Sequence, residues 1–359
     1  MTTAVLVAIL SLLLGRMIRG DAAPRKFSVE FFGVFDTIVS FTAFTEDQRE
    51  FDRCAGVVRG ELERLHRLFD IYNEYDGLAN VRTVNESAGR VPVKVDSSIL
   101  DLIELAKTAY DDTGGAVNVA LGPVLSIWHD TRERALDGDG GVRIPTYAEL
   151  SAAAVHTNTA DIEVDRERST VFLRHPDMRL DVGAIAKGYA VQRAVDLVLD
   201  SGLRSGLINV GGNVAVIGAP MDGRDAWNIG VRASNGDESS KLLDVLYLSG
   251  GAAVTSGNDQ RYFMSSGVRY HHIIDPKTLY PAGGVQSVTV LHPDSAAADI
   301  LSTAAFIMPL EEARALVAKH KAEAVWVMED GSKMATPGYM RLSKLGRDMS
   351  GRREGEAEQ

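Results

Sequence analysis

The chain has 359 residues, 45% of them hydrophobic and 24% charged, with no low-complexity tract; it can hold one large domain or two modest ones, either able to bury a substantial core. A formal net charge of -11 and the absence of any basic run with interleaved aromatics argue against a nucleic-acid partner, because a phosphate backbone rewards clustered Lys and Arg. The single cysteine, Cys54, rules out an internal disulfide and a cysteine-based zinc cluster, and leaves the redox compartment open.

Residues 4–15 form an uncharged run rich in Leu, Val and Ile, followed by Arg16 and Arg19. The run is short for a membrane span and suits a signal-peptide core, while positive charges after it suit an uncleaved anchor equally well. Residues 1–24 are therefore expected to be a signal peptide or an N-terminal membrane anchor, with the protein exported or tethered on the extracytoplasmic side. No cysteine follows at a lipobox position, so a lipoprotein anchor is not expected.

Residues 34–44, rich in β-branched and aromatic side chains, read as a strand. Residues 47–69 read as an amphipathic helix: Phe51, Cys54, Val58, Leu62, Leu65 and Phe69 recur at spacings of three and four, which makes Cys54 a core residue rather than a nucleophile. A polar loop with two tyrosines, Tyr72 and Tyr75, follows. Asp96 or Ser97 caps a helix carrying Ile99, Ile103, Ala106 and Tyr110, closed by Gly114-Gly115. Gly122-Pro123 and the stretch 137–141 read as a surface excursion, and 161–180 as short strands around a polar hairpin at 165–168. A helix then runs to Gly202. Strands are expected at 207–210, 214–217, 243–248, 270–274, 287–291 and 324–328, and helices at 296–308 and 311–320. Residues 344–359 are charged and poor in apolar groups and read as a disordered tail. Strands outnumber helices without alternating strictly with them, which predicts an α+β fold, mixed sheets with flanking helices, rather than a doubly wound Rossmann sheet. No Gly-x-Gly-x-x-Gly or Walker pattern occurs, which lowers the case for a nicotinamide enzyme or a P-loop ATPase.

The stretch Asp181-Val182-Gly183-Ala184-Ile185-Ala186-Lys187-Gly188-Tyr189-Ala190 crosses from a β-type run into a helix. Its glycines admit close approach of a ligand to the backbone, and Lys187 can reach an anion near the helix start; close packing alone would also explain the small residues. Asp299 and Thr303, four apart on a helix, share one face. They are either its solvated side or, with a diphosphate completing the shell, ligands for a hard cation. His271 and His272 end a strand and point to opposite faces; one of them can serve as a general base, or either can simply bond its own turn. Tyr72 suits a planar heterocycle or the edge of the core. Gly211-Gly212-Asn213 and Thr255-Ser256-Gly257 are either sources of backbone N–H groups for an anion or ordinary tight turns.

Five stretches together resemble the ApbE family, the FAD:protein FMN transferases: 181–190, Asn209-Val210-Gly211-Gly212-Asn213, Val254-Thr255-Ser256-Gly257, Arg269-Tyr270-His271-His272-Ile273-Ile274-Asp275-Pro276, and Ala298-Asp299-Ile300-Leu301-Ser302-Thr303-Ala304. They stand in the family's order, and the likeness covers roughly residues 32–339, which makes 30–340 the expected catalytic domain. The resemblance implies a Mg²⁺-dependent enzyme that splits the pyrophosphate of FAD, moves FMN onto a Thr or Ser hydroxyl of an acceptor protein through a phosphodiester bond, and releases AMP. It implies Mg²⁺ ligation by the Ala184 carbonyl, Asp299 and Thr303, and FAD contacts by Asp181 and Lys187. Tyr72 would stack on the flavin. The backbone of Ala120, Leu121 and Gly122, and Ile273 at a strand end, would also meet the cofactor. Phe35 stands where the family has Met-Gly-Thr, but the sequence here is Phe35-Asp36-Thr37. His272 is the candidate base, with Asp299 and Asp275 as alternatives.

Two other functions fit the same residues: an FAD pyrophosphatase, with water as the acceptor, and a flavin-binding carrier without chemistry. The acceptor pattern associated with the family, Asp followed by Ser/Thr-Gly-Ala-Thr, is missing, and Asp112-Thr113-Gly114-Gly115 does not match it. The expected partner is therefore a separate protein, an exported or membrane redox subunit.

Overall fold

The computed structural model describes residues 23–138, 142–232 and 242–348. The expected leader or anchor lies almost wholly outside them, as do residues 349–359 of the expected tail. Among the described residues no helix is long and apolar enough to cross a membrane.

The chain builds an eight-stranded sheet with every neighbouring pair antiparallel. Its strands are β1 (Arg25–Val34), β2 (Thr37–Thr45), β6 (Gly206–Val210), β7 (Asn213–Ile217), β10 (Gly251–Gly257), β13 (Val285–His292), β14 (Glu323–Met328) and β15 (Lys333–Ala335), in the order β1-β2-β6-β7-β10-β13-β14-β15. Side chains alternate between two hydrophobic layers, as the pleat requires. Ala215, Ile217, Val254, Val290 and Trp326 join the main core, whereas Val216, Ala253, Leu291 and Val325 join a second one.

The main core is covered by α1 (Gln48–Phe69), α6 (Ala186–Asp200) and α7 (Ser295–Ile307). Asp47 caps α1, its carboxylate accepting the Glu50 N–H at 2.9 Å. Seven side chains of α1 are buried, including Cys54, whose thiol burial pushes up in pKa. Further out on this side lie the short helix α2 (Val81–Glu86), α3 (Ser97–Asp112) and a small sheet of β3 (Val93–Lys94), β4 (Ile162–Asp165) and β5 (Thr170–Leu173). The second core is closed by the hairpin β8 (Trp227–Arg232) and β9 (Leu242–Leu248), with Tyr339 of α9 (Pro337–Leu342). A third cluster joins α4 (Gly122–Leu136) and α5 (Tyr147–Ala153) to the hairpin β11 (Tyr262–Ser265) and β12 (Val268–His271), where Trp128 donates its indole N–H to the Leu279 carbonyl at 2.9 Å. The helix α8 (Leu310–Lys319) packs beside α7.

The α+β class is borne out, and several boundaries move. The expected strand 34–44 is two strands: β1 and β2 turn at Phe35-Asp36, both left-handed with φ of 50° and 52°. That is a type I′ turn without the Gly or Asn that normally announces one. Gly122-Pro123 is not a loop but the start of α4, with proline in the first turn, where its missing N–H costs nothing. Residues 344–348 are helical rather than the start of a disordered tail, and the Leu345 N–H donates to Asp244 at 3.0 Å. Gly211-Gly212 is the tight turn between β6 and β7.

Leu62 is fully buried on α1, whereas Leu199 on α6 is largely exposed. Leu62→Ala is expected to cost about 2–5 kcal/mol in urea unfolding. Leu199→Ala should stay within about 0.5 kcal/mol.

Candidate functional site

The loop 181–185 and the first turn of α6 meet the middle of α7. Gly188 N–H donates to the Asp299 carboxylate at 2.8 Å, across 111 residues of sequence. This amide lies in the first turn of α6, where the N–H groups have no acceptor within the helix, and Asp299 satisfies it from outside. The Ala184 carbonyl, just before the helix, has no hydrogen-bond partner among the described residues. Glycine is required at 188 because a Cβ there would stand 2.4 Å from the Asp299 Cβ and 2.6 Å from the Ser295 carbonyl. Asp299 is only 4% exposed, which overturns its reading as the solvated side of an amphipathic helix: α7 is buried nearly all round.

Thr303 lies one turn further along α7. The Ser256 hydroxyl at the end of β10 reaches Ser302 at 2.8 Å and Thr303 at 3.4 Å, tying the Thr255-Ser256-Gly257 segment to this helix. A free carbonyl, one carboxylate and one hydroxyl, all oxygens, fit the donor preference of Mg²⁺ and leave positions for phosphate and water. Among the described residues no cluster of three His, Cys, Asp or Glu could compete for a metal.

Asp181 accepts the Gly183 N–H at 2.9 Å, and its own N–H donates to Val119 O at 2.8 Å, which sets Ala120, Leu121 and Gly122 beside the loop. Gly122 is pressed against Arg179, with a Cβ position 2.4 Å from its carbonyl. Ala120 and Leu121 are buried, and the Ala120 N–H is taken by the Asn118 side chain at 2.9 Å, so little of either residue is open at the surface. Burial pushes the Asp181 carboxyl up, while the Gly183 N–H, Arg261 and His129 pull it down.

Tyr72 stands 54% exposed with its ring 5.1 Å from that of His129 on α4. Its loop is held by Asp70, which accepts the N–H groups of Tyr72 and Asn73 and the Tyr75 hydroxyl. Burial would raise the Asp70 carboxyl, but these bonds together with the Asn73 side chain hold it below the usual range. Crowding and the charge of Asp181 push the Tyr72 phenol up to about 12, so it stays neutral. Asp36 also acts on Tyr72, placing the β1–β2 turn near it; Phe35 rests on His66 through its N–H at 3.2 Å and a ring-edge contact.

The two histidines diverge as alternation predicts. His271 is buried: Nδ1 accepts the Ile273 N–H, so Nε2 carries the proton and donates to Ala282 O at 2.8 Å. His272 opens to solvent, with its N–H on Arg261 O at 3.0 Å. Desolvation first, and then the charges of Arg261, His271 and Lys187, drive its imidazole down to about 3, which keeps it neutral at pH 7. Ile273 is buried, and its N–H and carbonyl bond His271 and Ala282. Asp275 is spent on its own turn, accepting the Lys277 N–H.

The family model of the ApbE family matches residues 35–326. The chain belongs to the ApbE family. It is 33% identical over 289 residues to the FAD:protein FMN transferase of Klebsiella pneumoniae (strain 342), covering 78% of this chain and 87% of that one. It is 36% identical over 266 residues to the FAD:protein FMN transferase of Treponema pallidum (strain Nichols), covering 72% and 73%. Among solved structures, the ApbE protein of Thermotoga maritima superposes with a TM-score of 0.77 at 30% identity, over 89% of this chain and 99% of that one. The flavin transferase ApbE of Vibrio cholerae, at 22% identity and a TM-score of 0.74, shares the fold over 89% of this chain and 99% of its own.

The ApbE motifs thus meet in one place. His129 and Arg261 were not legible beforehand: an isolated arginine four residues after Gly257, and a histidine in a stretch misread as a loop, carry no pattern of their own. Gly188→Ala should lower stability by about 1–3 kcal/mol in urea unfolding, because neither the Asp299 Cβ nor the Ser295 carbonyl can retreat. An unchanged midpoint would mean that α6 and α7 cross less tightly than described.

Proposed function

We propose that this ApbE protein transfers FMN from FAD to a Thr or Ser hydroxyl of a separate acceptor protein, forming a phosphodiester and releasing AMP. The observation that carries the proposal is the Gly188–Asp299 hydrogen bond, which brings an anion-friendly loop and a buried carboxylate into one site, next to the unbonded Ala184 carbonyl. Ala184, Asp299 and Thr303 would hold Mg²⁺, whose chemistry there is charge neutralisation on a diphosphate. The names of the Klebsiella and Treponema relatives support the same activity.

In this scheme Tyr72 stacks on the isoalloxazine, and the backbone of Ala120, Leu121 and Gly122 lines the flavin side of the cleft. Lys187 and Asp181 orient the nucleotide. His272 takes the proton from the acceptor hydroxyl as its oxygen attacks the FMN phosphorus, and the P–O bond to AMP breaks. The imidazole suits this role because it is neutral and reachable, whereas His271 has both nitrogens engaged. The apolar run at 4–15 followed by Arg16 and Arg19 supports an exported or membrane-anchored location facing the extracytoplasmic side, with a membrane or exported redox subunit as acceptor.

Incubation of the protein with FAD, Mg²⁺ and a candidate acceptor should add the mass of FMN to one Thr or Ser peptide. Free FMN formed equally well without acceptor would point instead to a pyrophosphatase. Asp299→Ala should lower transfer roughly 10²–10³-fold or more while FAD still binds; retained turnover would remove Asp299 from the chemistry.

The pH profile gives a separate check. Because the folded His272 is depressed below the ordinary histidine value, it stays unprotonated as pH falls through 6.5. The kcat/KM for transfer should therefore hold from pH 8 to below 6, with its acid limb further down. His272→Ala should cost roughly 10²–10⁴-fold. An acid limb at pH 6.5 that survives in that variant would assign the base elsewhere.

A further inference from the structure

The protein is acidic overall, with a net charge of -11, yet positive groups gather at its cleft. Arg261, Arg132 and His129 act on Tyr72 or Asp181, and Lys187 and Arg261 on His272, against only Asp181 and Asp36 in the opposite sense. A cluster of like charge raises the local concentration of a ligand of opposite sign. Arg132 is paired with Glu133 and His129 lies against the Tyr72 ring, whereas Lys187 and Arg261 have no ion pair among the described residues. Neighbouring Arg269 lies over the Tyr262 ring and donates to Asn258.

Of Lys187 and Arg261, the latter lies outside the 181–190 loop. It stands in the short connection between β10, whose Ser256 reaches Thr303, and β11. Its carbonyl accepts the His272 N–H at 3.0 Å, which fixes its backbone next to the candidate base. Its side chain is exposed, and its guanidinium makes no ion pair or hydrogen bond among the described residues, although it lies within electrostatic reach of Asp181, Tyr72 and His272 on three separate elements. Asp181 is not close enough to count as its partner, so the guanidinium is not explained as a structural strut.

We infer that Arg261 is a substrate-binding residue of this site, its guanidinium gripping the diphosphate of FAD from the β10–β11 side while Lys187 approaches from α6. A planar fork of N–H donors matches two phosphate oxygens at once, which a lysine cannot do. The inference rests on the FAD reading of the site and adds to it a contact that joins the diphosphate to the β11–β12 hairpin, which His272 directly follows.

The test compares FAD with riboflavin, which has the same ring and no phosphate, by quenching of flavin fluorescence with the acceptor protein omitted. Arg261→Met should bind FAD roughly 10–100-fold more weakly than the parent and riboflavin within about 2-fold of it. Arg261→Lys should recover part of the loss for FAD, and both variants should unfold at the parent's urea midpoint. Equal losses for FAD and riboflavin would mark a structural role and overturn the inference, as would FAD binding unchanged in Arg261→Met. A parent protein that binds riboflavin and FAD equally would overturn the diphosphate contact while leaving a flavin site. A parent that binds neither would overturn the FAD reading itself, and the inference with it.

Discussion

One hydrogen bond, from the Gly188 amide to the Asp299 carboxylate, organises the site. It does three things at once. It holds α6 against α7 at a separation only glycine permits, it satisfies one oxygen of a carboxylate that burial would otherwise penalise, and it gives a first-turn amide of α6 the acceptor its own helix cannot supply. A buried anion is expensive unless it is bonded. Here the bond that makes Asp299 tolerable also places it beside the loop that carries the unbonded Ala184 carbonyl. The Ser256 hydroxyl extends the arrangement from the sheet to Thr303, so loop, helix and strand are fixed relative to one another by side-chain and backbone contacts of ordinary strength.

Around this frame the electrostatics divide labour between similar residues. His271 and His272 are adjacent in sequence, yet one has both ring nitrogens engaged in the core and the other faces the cleft. Asp70 and Asp181 are both partly enclosed carboxylates, but a ring of donors holds the first below the usual carboxylate range and burial lifts the second. Position on a strand or loop, rather than residue type, decides each role.

Much of this was legible from residue patterns. The period of three and four in residues 47–69 located α1, and the crowding of strands over helices gave the α+β class. What was not legible has physical reasons. The β1–β2 turn uses Phe35-Asp36, which lack the Gly or Asn signature of left-handed residues, so two strands looked like one. Gly122-Pro123 looks like a breaker but is a helix start, since proline in a first turn loses no bond. The spacing alone left Asp299 open between a solvated face and a cation ligand, because α7 is buried nearly all round and amphipathic spacing says little about such a helix. The site residues themselves were visible through the ApbE resemblance, whereas Arg261 is placed only by tertiary structure.

The eight-stranded sheet interleaves early and late segments: β2 lies beside β6, β10 between β7 and β13, and Trp326 of β14 joins the same core as Phe41 of β2. Contacts of this range form slowly and together, because each closes a long loop before any reward is gained. The amide at 188 and the carboxylate at 299 lie 111 residues apart, so a growing chain that has not yet reached residue 299 holds only the first. Such a chain has the Ala184 carbonyl but neither Asp299 nor Thr303, and the oxygen set is complete only when the late segment has packed against the early one.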